Sequence, residues 1–154
     1  MERRVTVRGI ITNSKNEVLA VRHKRQDGSA AEYWAIPGGG LDPMESIHDG
    51  AKRELIEELG IEAELGRILV VQQFADLERT NHKNEYLEFF FEVTNSQDFI
   101  NATTSGTSHG EIEISELAFV NPKEVTILPT ILSTDDFIGV LKGTVATPLV
   151  HTEI

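Results

Sequence analysis

The feature that most constrains this chain is the run WAIPGGGLDPMESIHDGAKRELIEELGI, from Trp34 to Ile61, in which a glycine-rich turn leads into a short amphipathic helix. Glu54, Glu57 and Glu58 fall at i, i+3 and i+4, a spacing that sets three carboxylates on one side of one helix. Ile47, Ala51, Leu55 and Leu59 recur every fourth residue and form the apolar stripe. The acids therefore stand at the edge of the packed face, where a cleft and partial loss of solvent are both available.

Like charges at this spacing oppose one another by about 0.2–0.5 kcal/mol per exposed pair. A hard divalent cation relieves that repulsion, and Mg2+ takes oxygen ligands while keeping waters that a phosphate displaces. The competing reading is a solvated acidic face that needs no cation.

Both helix ends are punctuated. Asp42, Pro43 and Glu45 offer one start, and Ser46 offers a later cap, which we favour. Gly60 suits the C-terminal cap, with Ile61 as the apolar contact beyond it. Arg53 lies four residues before Glu57, within reach of a same-face ion pair.

The rest of the chain reads as one α/β domain over residues 1–154, a length that buries a proper core. Arg3 to Ile11 and Val18 to Val21 predict two strands of a hairpin around a polar turn. Leu65 to Phe74 and Tyr86 to Val93 predict two more, separated by a polar loop through Asn84, with Phe89, Phe90 and Phe91 as sheet core. A last strand is expected over Ile112 to Val120 after a long polar loop. Lys123 to Leu128 reads as a turn of helix and Pro129 as the start of another helix, followed by a weakly punctuated tail. A mixed sheet covered by helices on both faces follows.

Composition narrows the function. The net charge of -11 argues against a duplex nucleic acid partner, whose binding draws on cationic contacts to phosphates. A small phosphorylated substrate remains compatible, because a bound metal and a few arginines invert the potential within one cleft. With no cysteine, disulfides, thiolate zinc sites and cysteine nucleophiles are excluded. The start MERRVTVRGI turns polar too soon for a signal peptide and no apolar run is long enough for a membrane span, so a cytoplasmic location without membrane contact is expected.

The central stretch resembles the Nudix hydrolase signature: G, five residues, E, seven residues, then R-E-U-x-E-E-x-G-U, where U is bulky and aliphatic. Gly39, Glu45, Arg53, Glu54, Leu55, Glu57, Glu58, Gly60 and Ile61 match every specified position. The resemblance implies a Nudix-like α/β/α sandwich around a mixed central sheet. It implies Mg2+ or Mn2+ held by Glu54, Glu57 and Glu58, with a main-chain carbonyl of Gly38 or Gly39 completing the shell. Arg53 and Glu45 become bracing groups, with Gly39 and Gly60 structural. Relatives recruit a further acid from outside the signature, and Glu113, six residues before Phe119, is the preferred candidate over Glu111 and Glu116.

The implied reaction is hydrolysis of a nucleoside diphosphate derivative, NDP-X plus water giving NMP and phosphorylated X. Either Glu54 or Glu113 is then the base. Arg22 and Arg25 are read as phosphate contacts or as solvating charges, and Trp34 or Tyr33, with Phe74, as base-stacking groups or core. ADP-ribose, nucleotide sugars, nucleoside triphosphates and dinucleoside polyphosphates are the candidate substrates. A homodimer is expected from the same resemblance, and a noncatalytic Nudix-like binding module is the alternative.

Overall fold

The computed structural model describes residues 2–76 and 84–154. In chain order the strands are β1 (Glu2–Ile10), β2 (Val18–His23), β3 (Trp34–Ala35), β4 (Gly38–Gly40), β5 (Leu65–Asp76), β6 (Asn84–Val93), β7 (Ile114–Val120), β8 (Ile127–Leu128) and β9 (Leu149–Glu153). The α-helices are α1 (Ile47–Leu59), α2 (Gly110–Glu113) and α3 (Asp135–Leu141), with single 3-10 turns at Ser96–Phe99 and Thr130–Ser133. The result is a mixed α/β fold, with a central mixed sheet flanked by helices.

The strands hydrogen-bond in the orders β4-β1-β6-β5-β9 and β7-β2-β3-β8. In the larger sheet β1 runs parallel to β6 and antiparallel to β4, while β5 is antiparallel to β6 and parallel to β9. Alternation along β1 explains how the sheet serves two purposes. Val7 is buried with Ala51 and Phe91 on the α1 side. Thr6 and Arg8 point the other way and reach Glu88 of β6.

The phenylalanine run divides by the same alternation. Phe91 joins the cluster under α1, while Phe90 packs with Ile10, Val18, Val70, Ile127, Leu132 and Phe137 in the larger core. Leu55 and Leu59 of α1 close a third cluster with Ile11, Leu19, Val93 and Phe99.

Several local expectations are corrected, and the open question of the tail is answered. β1 and β2 do not form a hairpin ladder. The Leu19 N–H donates to Ile11 O at 2.8 Å across the turn, but the strands then diverge into separate sheets. Their long partners are β6 and β7, so non-local pairing outweighs the short connection. The strand predicted from Ile112 begins at Ile114, because residues 110–113 close a helical turn, and it is not the last.

Residues 127–128 are strand rather than helix, paired parallel to β3. The tail ends in β9, parallel to β5 from Val70↔Leu149 to Phe74↔Glu153. The polar loop expected before β6 lies, over residues 77–83, outside the described residues, and Asn84 opens the strand.

Candidate active site

The acidic helix begins where Ser46 caps it: its hydroxyl accepts the Asp49 N–H. It ends at Gly60, whose φ of 72° is the left-handed geometry that a Cβ disfavours. Glu54, Glu57 and Glu58 are thus carried on a defined rod, and β4 lies against it.

Glu58 is buried. Its Oε1 accepts the Gly38 N–H at 2.9 Å, while Oε2 has no hydrogen-bond partner among the described residues. Burial pushes its carboxyl up to about 8, against the opposing pull of the Gly38 N–H and of Arg8. Burial also raises the Glu54 carboxyl, opposed by its hydrogen bond from Arg53. A buried carboxyl oxygen left unpaired is costly unless a hydrogen bond or a cation meets it.

Arg53 is the hub of the array. It donates to Glu45 Oε1 at 2.7 Å and Oε2 at 2.9 Å, to Gly40 O at 2.9 Å, and to Glu54 and Glu57 at 3.1 Å each. Its fork holds the Glu45 carboxyl down at about 2, helped by the Asp42 N–H. The glycine turn, the Asp42–Glu45 turn and the acidic helix are fastened to one guanidinium.

Glu57 also accepts from His109, with Nδ1 2.9 Å from Oε2 in the tautomer that places the proton there. The backbone reinforces this contact: the His109 N–H donates to Glu57 O at 3.0 Å. The long polar loop is thereby docked on the end of α1, which carries Glu113 to the same cleft. Glu54, Glu57, His109, Glu113 and Arg53 line a cavity of about 530 Å³. Among the described residues no three His, Asp or Glu side chains are arranged as a ready metal cage; Arg53 occupies Oε1 of Glu54, and Arg53 and His109 share Oε2 of Glu57.

A second cavity, of about 310 Å³, has Phe74 and Tyr86 on its wall. These two rings face each other in register across β5 and β6, nearly parallel at 10° with centroids 4.8 Å apart. Tyr33, Gln72 and Glu88 add polar groups. Arg8 and His23 line both cavities.

The structure thus brings Glu54, Glu57, Glu113, Arg53, Gly38 and Gly39 together around the first cavity, with Glu58 bonded to Gly38 beneath it, and puts Phe74 in the second. Arg22, Arg25 and Trp34 line neither. Arg22 donates to Ala31 O at 2.7 Å and sits 5.7 Å from the Trp34 ring centroid, and Arg25 pairs loosely with Glu32 at 3.7 Å. Trp34 packs against the larger core. Arg8, His23, Tyr86 and His109 were not singled out from sequence. The period-two pattern of β1 carried a signal for Arg8, as the cation facing away from Val7, whereas nothing local marked His109.

A family model described as NUDIX domain matches residues 2–138. The chain belongs to the Nudix hydrolase family. A putative 8-oxo-dGTP diphosphatase of Bacillus subtilis is 34% identical over 94 residues, covering 61% of this chain and 56% of that protein. Nudix hydrolase 2 of Arabidopsis thaliana is 36% identical over 70 residues, covering 46% of this chain and 25% of its own length. This Nudix chain therefore matches a quarter to a little over half of the length of these curated relatives.

Among solved structures, the MutT protein from Methanosarcina mazei Go1 superposes with a TM-score of 0.58 at 25% identity, covering 93% of each chain. An ADP-ribose pyrophosphatase from Streptococcus suis gives 0.58 at 18% identity over 97% of this chain and 98% of its own, a likeness of fold. Among the described residues, no helix is long and apolar enough to cross a membrane.

Proposed function

We propose that this Nudix protein is a divalent-metal-dependent pyrophosphohydrolase that splits a phosphoanhydride bond in a nucleoside diphosphate derivative, releasing a nucleoside monophosphate and phosphorylated X. The observation that carries this reading is the buried Oε2 of Glu58, without a partner among the described residues, on a helix face that also bears Glu54 and Glu57. A cation at that corner offsets both the burial cost and the mutual repulsion, and the all-oxygen donor set suits Mg2+ or Mn2+.

Glu57 and Glu58 would hold the metal, together with Glu54, a main-chain carbonyl of Gly38 or Gly39, and Glu113 from the facing wall. When bound, the metal supplies positive charge to the anhydride oxygens and acidifies water. The chain's own groups do the rest. Of the two bases that the sequence leaves open, Glu54 is the better supported, because burial raises its carboxyl above the ordinary carboxylate value. Arg53 keeps that carboxylate oriented through its 3.1 Å bond to Oε1. The Phe74 and Tyr86 rings give the adjoining cavity an aromatic wall suited to a nucleobase.

The test is a Mg2+-dependent hydrolysis screen over ADP-ribose, nucleotide sugars, ordinary and oxidised nucleoside triphosphates and dinucleoside polyphosphates, with Glu57→Gln alongside. Nucleoside monophosphate released by the wild type and not by folded Glu57→Gln supports the reading. A folded, metal-binding wild type that is silent across the panel favours the noncatalytic alternative.

A further inference from the structure

We infer that Arg8 is the phosphate seat between the two cavities, a specificity-determining residue that favours ligands in which a base and a phosphate belong to one nucleotide. The inference rests on the nucleotide reading above. Arg8 lies on β1, between β4 and β6 in the larger sheet, and lines both the acid-bearing and the aromatic cavity, so any ligand that fills both passes over it.

Its guanidinium is already oriented. Nε donates to Glu88 Oε1 at 3.1 Å and Nη1 to Ile36 O at 2.8 Å, bonds that, among the described residues, leave Nη2 for another acceptor. Glu88 is fixed in turn by the Thr6 hydroxyl at 2.9 Å. Arg8 is only 18% exposed and its partner carboxylate 7%. A half-buried, pre-oriented guanidinium recognises a phosphate without ordering a long side chain, and its fork matches phosphate oxygens as an ammonium does not.

The setting adds a reason for a cation here. Glu54, Glu57 and Glu113 line the acid cavity and Glu88 and Glu153 line the aromatic one, so an anion meets acidic groups in both. Arg8 is then the permanent positive charge common to both cavities, and a phosphate next to a base seated between the aromatic wall and the acidic helix rests against it.

The test compares each of AMP, GMP, CMP and UMP with its own nucleoside, by calorimetric titration in Mg2+. The proteins are wild type, Arg8→Lys, Arg8→Met and the pair Arg8→Met with Glu88→Gln. The pair is included because Arg8→Met alone leaves Glu88 buried without its cation. For the base bound best, the wild type is expected to prefer the monophosphate by at least about tenfold. The paired variant should lose most of that preference while keeping its nucleoside affinity, with Arg8→Lys between them.

A paired variant that keeps the wild-type preference overturns the seat. So does a wild type that binds monophosphate no better than nucleoside. A merely structural Arg8 would lower the melting temperature and leave the ratio untouched. If the ratio depends on Arg8 while the wild type hydrolyses nothing in the substrate screen, the hydrolase reading fails and the seat stands.

Discussion

The carboxylate of Glu54 lies directly over Gly39: a Cβ built on Gly39 would stand 2.6 Å from Oε2, 2.7 Å from Cδ and 2.8 Å from Oε1. The second glycine of the turn is therefore the floor on which this acid rests. Because the obstructing atoms end a flexible side chain, Gly39→Ala is expected to move Glu54 rather than break the fold. Turnover should fall by about 10²-fold while stability changes by less than roughly 1 kcal/mol. Gly40→Ala is the control, since a Cβ there meets nothing within 4 Å. Steady-state kinetics and thermal melts of the two variants check this. Equal activity in both would refute the packing argument.

Glu58 makes the metal-free protein sensitive to alkali. Its carboxyl, ordinarily at 4.5, is pushed up to about 8 by burial, so the folded state binds a proton that the unfolded state has released between those values. This contribution is complete below pH 4.5 and is lost as the pH rises through 8. Its full size is roughly 4–5 kcal/mol at 1.36 kcal/mol per unit. In chelator, Glu58→Gln should therefore be more stable than wild type at pH 9 and close to it at pH 5. Added Mg2+ should stabilise the wild type at pH 9 and do much less for the variant. Denaturant melts across pH decide it, and parallel pH curves for the two proteins would count against the assignment.

Much of this arrangement is legible in the chain because it is local. Ser46, Gly60 and the four-residue apolar repeat define α1 within a few turns of backbone, and the three acids follow from its period. What escapes is what sheet pairing decides. β1 and β2 are joined by a short turn, yet each finds its long partner far along the chain, in β6 and β7. β9 follows only weak punctuation and becomes a strand because β5 offers it an edge. Arg8 and Glu88 meet 80 residues apart for the same reason, and His109 reaches Glu57 only because its loop folds back on α1.

Arg53 tests how far one guanidinium organises the site. Its bonds fan out to Glu45, Gly40, Glu54 and Glu57, a spread that one ammonium does not reproduce. Arg53→Lys is expected to cost about 1–3 kcal/mol of stability through the lost charge-assisted bonds. Its kcat should drop about 10²-fold, with KM changing much less. A variant with wild-type kcat would show that Glu54 and Glu57 are oriented without this fork.

Gly110 fixes the position of the loop that carries His109 and Glu113. A Cβ there would lie 2.0 Å from the backbone oxygen of Glu58, an atom that the helix holds in place, so here the loop must give way. Gly110→Ala should lift α2 off α1 and weaken both the His109 N–H bond to Glu57 O and the ring contact to its carboxylate. A stability loss of about 1–3 kcal/mol is expected, as for other overpacked sites, together with lower activity. His109→Ala separates the two consequences: it removes the ring contact and leaves the backbone docking intact. If Gly110→Ala lowers kcat well beyond His109→Ala, the placement of Glu113 and the loop backbone matters to the reaction. If the two variants match in kcat, the ring contact to Glu57 accounts for the whole effect. Amide exchange over residues 107–113 reports the undocking independently of turnover, and unchanged protection in Gly110→Ala would contradict it.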